Sequence, residues 1–118
     1  MPISNNLKVL FDKHNLPTEN ADIYWSQVDD GWIPLIDKLI TDLLAMGWDG
    51  DAHQIKEKFG GLRFYTGQTT PEQDVVIAFA ERESQHTCER CGCAGQVHNP
   101  KAWLKTLCEP CYVKWQAR

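Results

Sequence analysis

Residues 88–111, CERCGCAGQVHNPKAWLKTLCEPC, hold all five cysteines of this 118-residue chain. Four of them form two Cys-x-x-Cys pairs with sixteen residues between the pairs: Cys88, Cys91, Cys108 and Cys111. A two-residue gap lets both thiolates of a pair approach one ion from a tight turn, and two such turns complete a tetrahedron with Zn–S distances of about 2.3 Å. The spacing is typical of a four-cysteine zinc site and predicts one structural zinc ion per chain.

Neighbouring side chains offer alternative ligands. Cys93, His86 and His98 could each replace one of the four cysteines, and the spacing alone leaves this open. A redox-active Cys-x-x-Cys pair would stand beside a βαβ pattern, and ferredoxin clusters use other spacings, so zinc is the favoured interpretation. Four protein ligands leave no coordination position for water, so we expect a structural site and no enzyme activity.

The segments around the cysteines follow a recognisable order. The first pair reads as a knuckle, and the residues after it read as two short strands around an Asn99-Pro100 turn. The second pair stands at the start of a helix. Knuckle, hairpin and helix in this order resemble a treble-clef finger. We therefore predict a finger of residues 87–118 packed on an acidic α+β domain of residues 1–86.

The first 86 residues carry helical and strand patterns. Residues 33–47 repeat apolar side chains at helical spacing, and a second helix is predicted to begin at Thr70. We expect a short helix from Asp51 to Lys58 and then a strand over residues 62–66. The fold class is thus predicted as α+β, with helices around a small β-sheet. The buried stripe of the second helix is predicted to comprise Val75, Val76, Phe79 and Ala80.

Charge is unevenly distributed along the chain. The formal net charge is -4, but residues 1–86 carry 14 acidic and 7 basic side chains, whereas residues 87–118 carry 2 and 5. A solvated face that keeps the protein in solution is the common interpretation of such charge, and a surface that binds a basic partner is the alternative. Because an acidic surface selects basic partners, we predict a basic protein partner. The start of the chain lacks the features of a signal peptide and no apolar run could span a bilayer, so a cytoplasmic location is expected. The predicted partner surface comprises Asp22, Asp29, Asp30, Asp37, Asp42, Asp49 and Asp51.

The segment QIKEKFGGLRFY, residues 54–65, offers an alternative surface. Bases can stack on exposed aromatic rings while cations contact phosphates, so this edge is the best nucleic-acid footprint in the chain. Packing of the aromatic rings in the core is the competing interpretation. The cations and the ring predicted to form this edge are Lys56, Lys58, Arg63 and Tyr65.

Three blocks, GWIPLIDKL, QIKEKFGGLRFY and ERESQHTCERCGCAGQ followed by WLKTLCEPC, resemble a family of small bacterial and prophage-encoded proteins without a characterised function. The resemblance spans most of residues 31–111 and implies that the finger and the preceding part form one unit. With the acidic charge, it leads us to predict an immunity or antitoxin-like protein that neutralises a basic toxin by binding it. The alternative is a nucleic-acid-binding zinc-finger adaptor or regulator.

Overall fold

A computed structural model describes residues 3–19, 21–98 and 104–116, without the side chains of residues 21 and 22. Its helices are α1 (Asn5–Lys13), α2 (Ile33–Ala45), α3 (Pro71–Ser84) and α4 (Glu109–Gln116), with short 3₁₀ helices at Ala21–Trp25 and Asp30–Trp32. Two antiparallel pairs of strands lie between them: β1 (Ala52–Lys58) with β2 (Gly61–Thr66), and β3 (Gln96–His98) with β4 (Lys105–Leu107). The predicted α+β class with a C-terminal cysteine module is confirmed.

Helix α2 forms the centre of the core. Its apolar residues recur every three or four positions, so one face is buried, and α1 packs on that face through Leu7, Leu10 and Phe11. Pro34 stands in the first turn, and Gly47 follows the helix with a φ of +86°, as expected for a residue that ends a helix in the left-handed conformation. This part of the fold matches the sequence prediction.

The segment from Asp51 to Lys58 is a strand and its preceding turn, so the predicted short helix was wrong. Asp51 does not cap a helix, and its amide instead donates to the Asp49 carboxylate in a turn (2.9 Å). Two left-handed residues, Phe59 and Gly60, connect β1 to β2. A two-residue connection with both φ values positive matches the twist of paired strands, and this favours a hairpin over a helix end.

On both outer edges of the β1–β2 hairpin, backbone amides of the strands donate hydrogen bonds to side chains of other segments. Next to β1, the Ile55 amide donates to Ser26 Oγ (2.8 Å), and next to β2 the Leu62 amide donates to Ser84 Oγ (2.9 Å). The Phe64 amide donates to Glu81 Oε2 (2.9 Å). An isolated two-stranded ribbon is only marginally stable in water, so these side chains and the packing beneath them hold the hairpin in place.

Helix α3 begins as predicted, with a capping box between Thr70 and Gln73. Its predicted buried stripe was partly wrong, because Val75 and Phe79 are 68% and 60% exposed. The stripe that faces the core comprises Gln73, Ile77, Ala80 and Ser84. The helix packs on both α2 and β2, so its core face includes polar residues that bond to those elements. Across the described residues, no helix is long and apolar enough to cross a membrane.

Candidate metal centre and hairpin face

The four paired cysteines meet at one point. One Sγ from each of Cys88, Cys91, Cys108 and Cys111 lies within 4.8 Å of all the others, and the Cys91 and Cys108 sulfurs are 3.5 Å apart. Four thiolates at about 2.3 Å from a tetrahedral zinc ion would be about 3.8 Å from one another. The cluster therefore has the donor set and approximate dimensions of a metal site that could hold zinc.

The first pair sits on a knuckle turn. The Gly92 amide donates to the Cys88 carbonyl (2.9 Å), and the Cys88 amide donates to the Cys93 carbonyl (2.7 Å). Gly92 has a φ of +83°, a conformation that glycine adopts without strain. Cys108 directly precedes α4 and Cys111 lies in its first turn. The knuckle, the β3–β4 hairpin and the helix follow in the predicted order, although the predicted Asn99-Pro100 turn lies outside the described residues.

The pKa values of the thiols show why the cluster suits a cation. Hydrogen bonds from the Cys93 amide and the Cys108 thiol lower the pKa of Cys91 to about 6. The hydrogen bond to Cys108 and burial raise the pKa of Cys111 to about 12. One thiolate forms easily, whereas further negative charges in the same few ångströms repel one another. A divalent cation among the four sulfurs would offset that repulsion.

The alternative ligands lie outside this group of four. The His98 ring stacks on Tyr112 with centroids 3.8 Å apart, and its Nε2 is 3.2 Å from the Leu107 carbonyl. His86 is exposed. Cys93 contacts Cys91, and this contact with a neighbouring thiol raises the pKa of Cys93. Within the described residues, the cluster of possible metal ligands contains only the four cysteines of the two pairs.

The knuckle packs directly on the backbone before α2. The Gly31 amide donates to the Glu89 carbonyl (2.7 Å), and Trp32 Nε1 donates to the Thr87 carbonyl (2.9 Å). A Cβ at position 31 would lie 2.2 Å from the Cys88 carbonyl oxygen, so only glycine fits there. The sequence analysis did not identify Gly31 as a packing position. The sequence feature that could have indicated this position is the pair Gly31-Trp32. Glycine lets another backbone approach closely, and the Trp32 ring beside it is fully buried.

The predicted acidic surface is divided among several local contacts. On α2, Asp37 pairs with Lys13 and His14 and Asp42 pairs with Lys38, and these aspartates are five residues apart, about 140° around the helix. Lys13 and His14 lower the pKa of Asp37.

The other predicted aspartates that the structure describes have these neighbours: Asp29 lies 3.9 Å from Arg90, Asp30 accepts a hydrogen bond from Asn6, Asp49 accepts one from the Asp51 amide, and Asp51 contacts His53. The side chain of Asp22 lies outside the described residues.

The structure brings the four residues of the predicted nucleic-acid edge onto one side of the β1–β2 hairpin. Lys56 is directly opposite Arg63, Gln54 is opposite Tyr65, and Lys58 is the next outward residue along β1. The inward pair, Ile55 and Phe64, is buried. We call this outward side of the hairpin, formed by Gln54, Lys56, Lys58, Arg63 and Tyr65, the hairpin face.

Two exposed aromatic rings lie beside the hairpin face, and one of them, Trp25, was missed by the sequence analysis. Phe59, at the hairpin turn, is 65% exposed, and Trp25 is 60% exposed. Trp25 and Lys56 line the same cleft. Phe59 is one of the rings in QIKEKFGGLRFY for which stacking on a base and packing in the core were both considered. The left-handed backbone of the turn explains its exposure, since residues at the tip of a two-residue hairpin point away from the sheet.

Comparisons with known proteins give no assignment for the chain. No protein-family model matches it, and no curated protein or solved structure is significantly similar to it. The resemblance to the prophage-encoded family therefore rests on the three sequence blocks alone. In the structure, these blocks are in contact, because Gly31 lies on the knuckle and Gly60 lies on β4.

Proposed function

We propose that this protein is a non-catalytic module, held together by one structural zinc ion, that binds single-stranded nucleic acid on its hairpin face. The zinc assignment is supported by the four converging thiols, because sulfur-only sets of four from paired cysteines are typical of structural zinc. The ligand assignment is supported by a single observation, the direct opposition of the half-buried Lys56 and Arg63 on the outward side of the β1–β2 hairpin.

The opposition of two cations has a local cost. Like charges directly across a strand pair destabilise it, by an amount within the roughly 0.2–1 kcal/mol span of cross-strand side-chain effects. Among the described residues, no carboxylate forms an ion pair with Lys56, Lys58 or Arg63, although four other lysine or arginine side chains form such pairs. A phosphate between the two cations would relieve the repulsion.

The aromatic rings beside these cations favour a single strand over a duplex. Trp25, Phe59 and Tyr65 are 60%, 65% and 42% exposed. Unpaired bases stack on such rings, and each stacked base contributes about 1–3 kcal/mol in proteins that bind single strands. Bases in a duplex are already stacked and present only their edges, so they gain little from these rings.

The net charge of -4 does not prevent such binding at physiological salt. Charges farther apart than the Debye length of roughly 8 Å are largely screened under these conditions, whereas the molecule extends over 42 × 29 × 23 Å. Within β1 and β2 the only carboxylate is that of Glu57, which accepts from the Gly60 amide (2.7 Å). The local charge of the hairpin face is therefore positive.

Zinc binding is tested by elemental analysis of the purified protein and by cobalt substitution. We expect one zinc per chain, and a cobalt spectrum of four-thiolate tetrahedral coordination. Cys93→Ser is the matched control, since Cys93 lies next to Cys91 but outside the group of four. Loss of the metal in Cys93→Ser, or its retention in Cys111→Ser, would overturn the ligand assignment.

Nucleic-acid binding is tested by fluorescence anisotropy with labelled ten-nucleotide single strands over a series of salt concentrations. Three phosphate contacts predict that log K falls against log salt with a slope of about -2, and each of Lys56→Gln, Lys58→Gln and Arg63→Gln should reduce its magnitude by about 0.7. Lys8→Gln, which removes an exposed lysine of α1, is the matched control.

Replacement of the ring tests stacking separately. Trp25→Ala should weaken binding by about 5- to 150-fold at constant salt slope, since stacking contributes about 1–3 kcal/mol per base. The proposal fails if the pure protein shows no salt-sensitive retention of single strands, or if the hairpin variants bind like Lys8→Gln.

A basic protein partner, of immunity or antitoxin type, remains a prediction from the acidic charge of residues 1–86. Electrostatic complementarity supports this prediction. The observation against it is that several of the aspartates already form ion pairs within the chain. Recovery of one basic protein in stoichiometric amount, lost in an Asp30→Asn/Asp49→Asn variant and retained in Lys56→Gln, would favour it over nucleic acid.

A further inference from the structure

Strand β4 of the finger lies against the turn of the hairpin. Thr106 is fully buried, and its Oγ1 donates to the Gly60 carbonyl (2.5 Å). A Cβ at Gly60 would lie 3.4 Å from the Lys105 nitrogen, so the two backbones are in close contact. Phe59 and Lys58, which carry a ring and a cation of the proposed binding surface, immediately precede this contact point.

The same threonine is tied to the cysteine cluster on two sides. Its carbonyl accepts from the Glu89 amide (2.9 Å), and Glu89 follows Cys88 in the knuckle. Along β4, Thr106 stands two residues before Cys108. An ion held by Cys88 and Cys108 would therefore fix both the knuckle and the end of β4, and these are the elements that position the threonine hydroxyl.

An ion pair reinforces this position. Lys105 Nζ contacts Glu89 Oε1 (2.8 Å), and the Glu89 side chain is almost completely buried. Residues 105 and 106 are thus bonded to the knuckle through a side chain and through the backbone. Displacement of the knuckle would move β4 with it, and β4 would then release or shift the Gly60 carbonyl.

We infer that zinc loading of the four-cysteine cluster controls the affinity of the hairpin face for single-stranded nucleic acid, through the hydrogen bond from Thr106 to Gly60. The inference rests on the proposed function for its ligand. Coupling between two binding sites is reciprocal, so a single strand should tighten zinc binding by the same factor by which zinc tightens the strand. We expect a factor of about 5–150, the usual range for such coupling.

The key variant is Thr106→Val, which replaces the hydroxyl by a methyl group of similar size. Thr106→Ser restores the hydroxyl, and Thr41→Val, which removes an exposed hydroxyl of α2 that donates to the Asp37 carbonyl, is the surface control. Affinity for a labelled ten-nucleotide strand is measured for zinc-loaded and chelator-stripped protein. Zinc affinity is measured by competition with a chromophoric chelator, with and without the unlabelled strand.

A second measurement does not depend on nucleic acid. Amide hydrogen exchange of residues 56–61 should be slow in zinc-loaded wild type, and faster in the stripped protein and in zinc-loaded Thr106→Val. Thr106→Ser and Thr41→Val should behave as wild type. In zinc-loaded Thr106→Val we also expect one zinc per chain, but affinity for the strand close to that of stripped wild type.

The outcomes separate the two claims. If exchange of residues 56–61 responds to zinc and to Thr106→Val but no strand binds, the proposed function fails and the coupling of zinc to the hairpin stands. If a strand binds with equal affinity to loaded and stripped protein, the inference is wrong and the proposed function stands. Unchanged exchange in zinc-loaded Thr106→Val would also overturn the inference, because the hydrogen bond would then have no role.

Discussion

The substitution Gly31→Ala should separate the finger from the rest of the molecule. The added Cβ would lie 2.2 Å from the Cys88 carbonyl oxygen and 2.5 Å from the Glu89 carbonyl oxygen. Both are backbone atoms, so no side chain can rotate to make room. The knuckle would have to move away from the 3₁₀ helix at Asp30–Trp32 by about 1 Å to restore ordinary contact distances.

Such a displacement weakens two hydrogen bonds at once. These join the Gly31 amide to the Glu89 carbonyl and Trp32 Nε1 to the Thr87 carbonyl. A buried donor left unsatisfied costs about 1–3 kcal/mol, and the forced expansion has a cost of similar size. Because compensating shifts absorb part of this, we expect a loss of about 2–4 kcal/mol, or about 8–16 °C in Tm for a chain of this length.

Gly47→Ala is the matched control, since it also replaces a glycine by alanine and so adds one methyl group. Gly47 has a φ of +86° and no atom within 4 Å of an added Cβ, so only backbone strain of about 1 kcal/mol is expected. Thermal unfolding and zinc release to a chromophoric chelator are measured for both variants. Gly31→Ala should release zinc at a roughly tenfold or more lower chelator concentration, as for other residues that support metal ligands. Equal zinc retention and equal Tm in the two variants would refute the packing argument.

Other variants probe separate parts of the structure. Cys108→Ser should lose the zinc and much of the finger's thermal stability, and a variant that kept both would remove Cys108 from the ligand set. Ser84→Ala should cost about 1–3 kcal/mol in urea unfolding, because the buried Leu62 amide loses its acceptor; a cost within 0.3 kcal/mol of zero would contradict this role. The folded pKa of Asp37 lies below its unfolded value, so its contribution to stability is complete above the unfolded pKa and is lost as the pH falls through the folded pKa. The stability difference between wild type and Asp37→Asn should therefore shrink below a pH of about 4, and a constant difference from pH 7 to pH 3 would exclude this linkage.

Patterns that depend on neighbours in sequence were predictable. The cysteine spacing identified four thiols that the structure brings together, because the geometry of a knuckle is set within four residues. The start of α3 at Thr70 and the apolar repeat of α2 are local as well, and both were predicted correctly. For the two helix patterns the physical cause lies within one or two turns of the chain, whereas the convergence of the two cysteine pairs also depends on the β3–β4 hairpin between them.

Features decided by distant partners were not predictable in the same way. The segment AHQIKEK has no strong helical or strand period, and it forms β1 because Ser26 and Gln27 bond one edge while β2 bonds the other. The exposure of Val75 and Phe79 depends on where β2 and α2 meet α3, and no spacing within the helix gives that. The pairing of the aspartates likewise depends on α1 and on the finger.

The total charge of the chain and the local charge of the hairpin face predict different partners for this protein. The aspartates of the predicted partner surface are more numerous, but the fold places a lysine or arginine beside three of the six whose side chains are described, Asp29, Asp37 and Asp42, so part of their charge is offset where it stands. The cations of the hairpin are few, yet the strand register places Lys56 opposite Arg63, with exposed rings nearby. A ligand responds to the charge left uncompensated on the surface it contacts, because screening removes the remainder within about 10 Å. The arrangement of charge on this fold therefore adds support to the proposed polyanion ligand of the hairpin face, whereas the composition of the chain predicts a basic partner.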